Sequence, residues 1–410
     1  MRFCLFLHFY QPSIQYQPVL DRIVHQSYIP ILEFFERHPQ AIITANFCAS
    51  LSEQLLTRGY KDLLDRFSRL ALSGQLELVG SAAYHPLLSK LPEDEIRRQI
   101  LLNDKINRFC FGGAWKPIPN QGFFPPELAY SKIVGKVLDR LGFKWVLLSE
   151  SSYPSLDIPD ERLYKIKDIS LFGFFRDNEL SLRTAFGCIR TRHSFRRALE
   201  EHLGKREYII AAMDAETFGH HLKDGLEILS GIFKNDEEIR FCTISQLFPL
   251  FDNKIEKVDA QEGTWGTTAE NKLQGQLYPR WDLPNNPLHQ KEWELHSLAI
   301  KLVNSSRCRF DDFDSAFYRY QAGTILPPKQ LNWLVARELL DKSLCSDLFW
   351  WSSRNPYWHP LLVQENLQLL RRVVAQVPDA SAADRRRCSQ LINQITKLGL
   401  RLYGSKVIGG

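Results

Sequence analysis

The sequence predicts an α/β fold: a (β/α) barrel of TIM-like type with seven or eight strands, followed by an all-α helical bundle. From the N-terminus to about residue 255, short apolar runs alternate with longer amphipathic runs, and seven or eight such repeats indicate a parallel sheet. No Gly-x-Gly-x-x-Gly motif follows the first strand, which favours a closed barrel over an open dinucleotide-binding sheet. Long helical patterns replace the strands after that point. We therefore predict a barrel domain over residues 1–255 and a linker with a helical bundle over residues 256–410.

The predicted strands are short apolar segments bounded by polar residues. In chain order they cover residues 3–8, 41–46, 76–80, 122–126, 144–148, 169–174 and 208–214, with a weaker candidate at 239–244. Amphipathic spacing predicts helices over 18–37, 51–72, 92–109 and 131–141 in the barrel, and over 288–304, 328–344, 360–377 and 382–402 in the bundle. In the third bundle helix, Val363, Leu367, Leu370 and Val374 form one apolar stripe that predicts packing against neighbouring helices.

Composition argues against several functional classes. The 410 residues carry a net charge of +5 that is not gathered into one block, so nucleic-acid binding is not expected. No segment is long and apolar enough to span a bilayer, and the N-terminus lacks a small-residue cleavage site, so neither membrane binding nor a signal peptide is expected. Eight scattered cysteines without zinc-ribbon spacing are typical of reduced thiols in a cytoplasmic protein. The chain has no phosphate-binding loop, and we expect no cofactor.

Polar side chains follow several predicted strands at the point where each strand ends. If the strand at 208–214 persists through Glu216, its two-residue period places Asp214 and Glu216 on one face, at the end of the barrel where catalysis occurs. Taken alone, Asp214 is equally explained as a helix cap. The other candidates at strand ends are His8, Gln11, Glu77, His85, Glu127, Arg176 and His220, and aromatic candidates for sugar stacking include Trp265 and Trp350. Together these residues predict one polar, acid-rich mouth.

Five separated motifs resemble those of glycoside hydrolase family 57, the α-amylase, 4-α-glucanotransferase and branching-enzyme group. They are residues 8–12 (HFYQP), 74–80 (GQLELVG), 124–127 (FPPE), 213–220 (MDAETFGH) and 345–350 (CSDLFW). The first motif departs from the usual His-Gln-Pro because two residues intervene after His8. The fifth departs because Leu348 stands where an aromatic residue is common. The family's barrel has seven strands, in agreement with the pattern above.

The resemblance implies a retaining glycoside hydrolase that cleaves α-1,4-glucans, with Glu127 as nucleophile and Asp214 as general acid/base. A retaining mechanism places its two carboxyl groups about 5–5.5 Å apart. We expect Glu216 to disfavour a second charge on Asp214, and Arg176 or a histidine to keep Glu127 ionised. The expected substrate-binding residues are His8, Gln11, Glu77, His85, Arg176, Glu216, His220, Trp265, Asp347 and Trp350, the last two supplied by the helical region. The expected partner is an α-glucan, and no metal is expected.

Three alternatives remain open. Glycosyl transfer by a 4-α-glucanotransferase or branching enzyme passes through the same covalent intermediate as hydrolysis. A zinc-dependent carbohydrate deacetylase or mannosidase would use His8, His85, His220, His221 and Asp214 as ligands, although no His-x-His or His-x-Asp pair ends the first strand. A non-catalytic glucan-binding protein on the same scaffold is the third alternative.

Overall fold

The computed structural model divides the chain into two compact units, Met1–Glu270 and Asn271–Gly410. The first unit mixes strands and helices, and the second consists of helices. The structure describes residues 1–118, 121–155, 158, 162–233, 238–310, 323, 325–354 and 357–407. The predicted boundary at residue 255 coincides with the start of a strand, Ile255–Val258, which pairs within the first unit.

The first unit is built around a barrel of parallel strands. Its strands are β1 (Arg2–Phe9), β2 (Ile43–Phe47), β3 (Leu76–Val79), β4 (Gly122–Phe123), β5 (Trp145–Ser149), β6 (Leu163–Ile166), β7 (Phe172–Arg176), β8 (Tyr208–Asp214), β9 (Arg240–Phe241) and β10 (Ile255–Val258). Seven of them follow one another in the order β1-β2-β3-β4-β5-β7-β8, and β8 pairs with β1. A parallel bridge between Gly80 and Phe123 joins β3 to β4. The amide of Asp177 donates to the carbonyl of Ile210 and joins β7 to β8. The predicted seven-stranded barrel is confirmed.

Three strands lie outside this path, and the sequence analysis missed two of them. β6 runs antiparallel to the start of β7, and β10 runs parallel to β6. Both are four residues long and contain charged residues, Lys165 in β6 and the adjacent Glu256 and Lys257 in β10, so neither forms a continuous apolar run. The weaker candidate at 239–244 is reduced to β9, which pairs with the first residues of β1.

Alternate residues of the barrel strands face two different cores. The odd-numbered residues 5–9 of β1 and 209–213 of β8 pack with the surrounding helices. The even-numbered residues 4 and 6 of β1 and 210 and 212 of β8 pack in the interior of the barrel. His8 and Asp214 continue the even-numbered series, so they face inward at the C-terminal ends of their strands.

Helices connect the strands of the first unit. Their bounds are Gln17–Ile23, Ile29–Arg37, Ala49–Thr57, Lys61–Leu72, Glu93–Phe111, Lys132–Leu141, Asn178–Ala185, Arg192–Glu200, Gly225–Ile232 and Phe248–Phe251. The predicted helix 51–72 is interrupted at Gly59, whose φ of +88° is left-handed and favours glycine. The predicted helix 18–37 contains a π-helical turn, Val24–Tyr28.

The second unit is a bundle, as the sequence predicts. Its helices are Pro287–Ser305, Pro328–Ser343, Asp347–Trp351, Pro360–Gln376 and Ala382–Tyr403, and a short helix, Ala269–Leu273, contains the boundary between the units. All four residues of the predicted apolar stripe of Pro360–Gln376 are buried. Among the helices that the structure describes, we find none with both the length and the apolar character needed to cross a membrane.

Candidate active site

The ends of β1, β2 and β8 bring polar side chains together at the mouth of the barrel. Backbone pairing places His8 between Asp214 of β8 and Asn46 of β2. The ring of His8 stacks on Phe124, with 4.5 Å between the ring centroids. His8 and Asn46 are buried, whereas Asp214 is exposed. The exposed carboxylate is therefore open to solvent and to a ligand, while the residues beside it are held in place by packing.

The backbone at Glu127 is strained. Glu127 lies in the 3₁₀ turn Pro126–Leu128 after β4, with a φ of +60°, and Leu128 follows with a φ of +48°. His85, in the loop after β3, has a φ of +56°. Left-handed backbone costs non-glycine residues about 1–3 kcal/mol each and persists only where surrounding structure enforces it. Three such residues occur at the candidate site.

Trp265 holds Glu127 through two hydrogen bonds. The Trp265 backbone amide donates to the Glu127 carbonyl at 3.1 Å, and the indole Nε1–H donates to Glu127 Oε2 at 2.8 Å. The Glu127 side chain is 12% exposed, and its Oε1 lies 3.8 Å from Nδ1 of His85. A hydrogen bond to a carboxylate favours the ionised form. The sequence predicted only a sugar-stacking role for Trp265, so this bond to the candidate nucleophile is an additional finding.

His8 and His85 form a buried pair between the two candidate catalytic carboxylates. Their Nε2 atoms lie 3.0 Å apart, and Nδ1 of His8 lies 2.9 Å from Oδ1 of Asn46. With the Asn46 amide in this orientation, its oxygen accepts from His8 Nδ1–H, and neutral His8 then accepts from His85 at Nε2. Burial lowers the pKa of His8, and burial together with the nearby His8 lowers the pKa of His85 further. Both rings are therefore neutral at neutral pH, and His85 places no positive charge beside Glu127.

Glu216 is buried beside Asp214 and holds a proton. Its Oε1 accepts hydrogen bonds from the Tyr28 hydroxyl and from Gln11 Nε2, the latter at 2.7 Å. Burial, and secondly the charge of Asp214, raise the pKa of Glu216 to about 8. We expected an ionised Glu216 to keep the proton on Asp214. Burial favours the neutral form of Glu216, so Glu216 does not supply the negative charge that this expectation assigned to it.

Arg176 acts on the Asp214 side of the mouth. Its guanidinium donates to Oδ1 of Asn178 at 2.9 and 3.0 Å and to the carbonyl of Ala212 at 3.3 Å. Burial lowers the pKa of Arg176 to about 10, against the opposing effect of neighbouring acids, of which Asp214 has the largest. Arg176 therefore stays charged near neutral pH. The expectation that it keeps Glu127 ionised is not supported, because its charge acts on Asp214.

Glu77 and His220 bind other parts of the protein. Glu77 is the second residue of β3, where its Oε2 accepts from Thr44 Oγ1 at 2.9 Å and from the Ser245 amide at 3.2 Å. Its register partner is Thr44, one inward-facing layer below the strand ends, so this placement favours a structural role over the expected sugar contact. His220 lies in the turn after Glu216, with Nδ1 2.8 Å from Oε1 of Gln26.

Asp347 and Trp350 lie in the second unit. Both belong to the short helix Asp347–Trp351, and both are partly exposed. The Trp350 ring is tilted against Trp281 with 5.9 Å between centroids, and the Arg280 guanidinium lies over it at 5.4 Å. Their contribution to a glucan site stays a prediction.

The histidine contacts bear on the zinc alternative. A zinc site would need His8, His85 and His220 to turn ring nitrogens toward one ion. Instead, the Nε2 atoms of His8 and His85 bind each other, and His220 binds Gln26. These contacts do not favour His8, His85 and His220 as ligands of one shared ion.

Sequence reasoning missed three residues of this region. Asn46 ends a predicted strand, so the rule applied to the other strands would have found it. Tyr28 lies inside an amphipathic helix and carries no local signal. Phe186 follows the helix Asn178–Ala185, is 64% exposed, and lies 6.3 Å from the ring of Trp265. An exposed phenylalanine beside Trp265 extends the aromatic surface next to Glu127.

Comparison with known proteins identifies relatives that cover between 40% and 91% of this chain. Alpha-amylase 1 of Dictyoglomus thermophilum is 25% identical over 183 residues, covering 45% of this chain and 25% of that protein. The 4-alpha-glucanotransferase of Thermococcus litoralis is 26% identical over 167 residues, covering 40% of this chain and 24% of that protein. The alpha-amylase of Pyrococcus furiosus is 25% identical over 414 aligned positions, covering 91% of this chain and 57% of that protein. The matched regions thus span about a quarter of the first two relatives and just over half of the third.

Solved structures share the fold. The branching enzyme of Pyrococcus horikoshii superposes with a TM-score of 0.69 at 16% identity, covering 99% of this chain and 96% of that one. An exo-type maltose-forming amylase from Pyrococcus sp. ST04 gives a TM-score of 0.71 at 14% identity, covering 97% of this chain and 83% of that one. The model of glycosyl hydrolase family 57 matches residues 6–259, which is more than half of the chain and nearly all of the barrel unit. The chain therefore belongs to glycosyl hydrolase family 57.

Proposed function

We propose that the protein is a retaining glycoside hydrolase that cleaves α-1,4-glucosidic bonds in an α-glucan. The carrying observation is Glu127, held in a left-handed conformation at the barrel mouth with its carboxylate bound to the Trp265 indole. Enforced strain of this kind clusters at active sites. Membership of the family and relatives named alpha-amylase support this reaction and substrate class.

In the first step, the Glu127 carboxylate attacks the anomeric carbon while Asp214 protonates the glycosidic oxygen. The bond to the leaving sugar breaks, and a covalent glycosyl-enzyme ester forms at Glu127. In the second step, the Asp214 carboxylate removes a proton from water, and the oxygen of that water attacks the same carbon. Glu127 departs as a carboxylate, and the product keeps the configuration of the substrate.

The surroundings of the two carboxylates suit these roles. A nucleophile needs a fixed, ionised carboxylate, and Glu127 has the indole hydrogen bond and a strained backbone that fix it. Because His85 is neutral, it does not tie up Glu127 in an ion pair. An acid/base must reach both the leaving oxygen and water, and Asp214 is exposed at the end of β8.

Glycosyl transfer is the second candidate function. It shares the first step, and a sugar hydroxyl replaces water in the second. The relatives include a 4-alpha-glucanotransferase, and the similar folds include a branching enzyme. Products from maltoheptaose separate the two reactions: shorter sugars alone indicate hydrolysis, and sugars longer than seven units indicate transfer.

We further propose that Asp347 and Trp350 of the helical unit complete the substrate site.

The test is to trap the covalent intermediate. A fluorinated glucosyl fluoride slows the second step, and peptide mass spectrometry then locates the labelled side chain. We expect the label on Glu127, and Glu127→Gln should reduce kcat by several orders of magnitude because a covalent-catalysis residue is lost. A matched control is Glu179→Gln, which removes an exposed carboxylate in the first turn of the helix after β7.

The role of Asp214 is tested by the leaving group. Asp214→Asn should severely reduce activity on glucans, whose leaving alcohols need a proton. A substrate with an activated leaving group should lose much less in its first step, since that group departs unaided. Label on another residue, near wild-type turnover of Glu127→Gln, or equal losses of Asp214→Asn on both substrates would contradict the proposal.

A further inference from the structure

A π-helical turn lies against the segment that follows Asp214. The turn, Val24–Tyr28, joins the helices Gln17–Ile23 and Ile29–Arg37 without a break. A π turn contains an extra residue, is rare, and is frequently found at functional sites. The Val24–Tyr28 turn itself contains no glycine or proline, but Pro30 follows it, and proline cannot donate the backbone hydrogen bond that an α-helix would make to the Gln26 carbonyl.

Three consecutive residues of the turn bind that segment. Oε1 of Gln26 lies 2.8 Å from Nδ1 of His220. The Ser27 hydroxyl donates to the carbonyl oxygen of Ala215 at 2.9 Å. The Tyr28 hydroxyl donates to Oε1 of Glu216. Ser27 and Tyr28 are fully buried, so their two contacts are shielded from water, whereas the contact between Gln26 and His220 is exposed.

A regular α-helix would not direct these three consecutive side chains toward one segment. An α-helix turns by about 100° per residue, so three consecutive side chains spread over more than half of its circumference. A π turn has more residues per turn and brings consecutive side chains closer to one face. Here the three side chains contact Ala215 and Glu216 at the start of the segment and His220 at its end.

The fit is also steric. Gly219 has a φ of +108°, and a Cβ at this position would overlap the carbonyl oxygen of Gln26. A larger residue at 219 would push the segment away from the turn. Glycine is therefore required both by the backbone conformation and by the close approach.

We propose that Gln26, Ser27 and Tyr28 form a positioning clamp that orients Asp214 for proton transfer. The inference rests on the proposed function, in which Asp214 is the general acid/base. Asp214 is itself exposed and ends its strand. Its orientation therefore depends on the residues that follow it, and the clamp binds the very next carbonyl, that of Ala215. Tyr28 and Ser27 are positioning residues, since they act through Asp214.

The test compares Tyr28→Phe and Ser27→Ala with a matched control. Each variant removes one hydroxyl and keeps the remaining shape. The control is Tyr208→Phe, which removes a 3.0 Å hydrogen bond from a buried tyrosine to the carbonyl of Arg162 at the opposite end of β8 from Asp214. We expect kcat on maltoheptaose to fall about tenfold in Tyr28→Phe, the scale for a lost hydrogen bond to a carboxyl group, with KM unchanged and with little change in Tyr208→Phe.

Two further measurements separate positioning from general loosening. Single-turnover formation of the covalent intermediate from a substrate with an activated leaving group should be nearly unaffected. In an Asp214→Asn background, Tyr28→Phe and Ser27→Ala should cause no further loss, because residues that act as a unit are not additive. If Tyr28→Phe does not fold, Ser27→Ala decides the question in the same assays.

The outcomes are distinguishable. Full kcat in the folded clamp variants, or an undiminished loss in the Asp214→Asn background, overturns the clamp while leaving the proposed reaction intact. High activity of the single Asp214→Asn variant on maltoheptaose overturns the assignment of Asp214, and the clamp proposal falls with it.

Discussion

Glu292 should make the stability of the helical unit depend on pH. It lies in the helix Pro287–Ser305, is fully buried, and accepts one hydrogen bond from Ser352 Oγ at 2.8 Å. Its Oε1 has no hydrogen-bond partner among the residues that the structure describes. Burial raises the pKa of Glu292 to about 8, against the opposing effect of the Ser352 hydrogen bond. The neutral, protonated form is therefore the stable form in the folded protein.

The sign and size of the effect follow from linkage. The folded protein binds the Glu292 proton more tightly than the unfolded chain, whose carboxyl has a pKa of 4.5. The stabilisation is thus complete below pH 4.5 and is lost as the pH rises toward 8. The full change amounts to about 5 kcal/mol of unfolding free energy, with a maximum slope of about 1.4 kcal/mol per pH unit.

Glu292→Gln is the perturbation that tests this reasoning. Glutamine has nearly the same shape as protonated glutamate and cannot ionise. We expect the variant to lose the decline between pH 5 and 8 and to be more stable than the wild type at pH 8 by a few kcal/mol. Because the chain has two units, the assay is hydrogen exchange of peptides from Pro287–Ser305 and Pro360–Gln376, measured across that pH range.

The matched control is Glu294→Gln on the same helix. Hydrogen bonds from Lys291 and Arg387 lower the pKa of Glu294, so its effect on the pH dependence has the opposite sign. The decline with pH should persist in this control. If Glu292→Gln and the wild type instead show parallel pH profiles, Glu292 ionises without cost in the folded protein, and the reasoning from burial is refuted.

The remaining predictions concern activity. Trp265→Phe keeps an aromatic ring but removes the hydrogen bond to Glu127. We therefore expect kcat to fall at least tenfold, on the scale of about 1.5–3 kcal/mol for a hydrogen bond to a charged group. An unchanged steady-state kcat would show that the indole N–H does not support the nucleophile. Phe186→Ala should raise KM for long maltooligosaccharides without changing kcat or Tm, whereas Phe109→Ala, at another exposed phenylalanine, should change none of them. Asp347→Ala should lower kcat/KM strongly with little loss of Tm; a lower Tm with normal kinetics would make the residue structural.

The barrel was readable from the sequence because its strands are apolar on both faces. Such strands appear as continuous apolar runs, and the two-residue period then places His8 and Asp214 at the inner mouth. β6 and β10 were missed because they lie outside the barrel path and contain charged residues that interrupt any apolar run. The π turn at Val24–Tyr28 was also missed, because its side chains fit an amphipathic helix and the segment it contacts lies nearly 190 residues away, although Pro30 marks an irregularity in that helix.

The candidate site was only partly predictable for a similar reason. Glu77 sits in a strand, but one layer below the mouth, and its register depends on pairing with β2. The position of the proton on Glu216 depends on burial and on Tyr28, which local sequence does not reveal. The sequence pattern identifies which residue types come together, whereas burial in the folded protein determines which of them are ionised.

The surroundings of the two candidate catalytic carboxylates differ, and this difference indicates which of them is the nucleophile and which is the acid/base. Environments that differ in burial and hydrogen bonding assign different roles to two carboxyl groups. Glu127 is fixed by strained backbone and an indole N–H and faces a neutral imidazole, which suits a group that must form and break a covalent bond at one point. Asp214 is exposed between charged Arg176 and protonated Glu216, which suits a group that exchanges protons with a leaving sugar and then with water. If the roles were exchanged, the strained Glu127 would have to exchange protons with the leaving oxygen and with water, and the exposed Asp214 would have to form the ester. The assignment with Glu127 as nucleophile is therefore favoured.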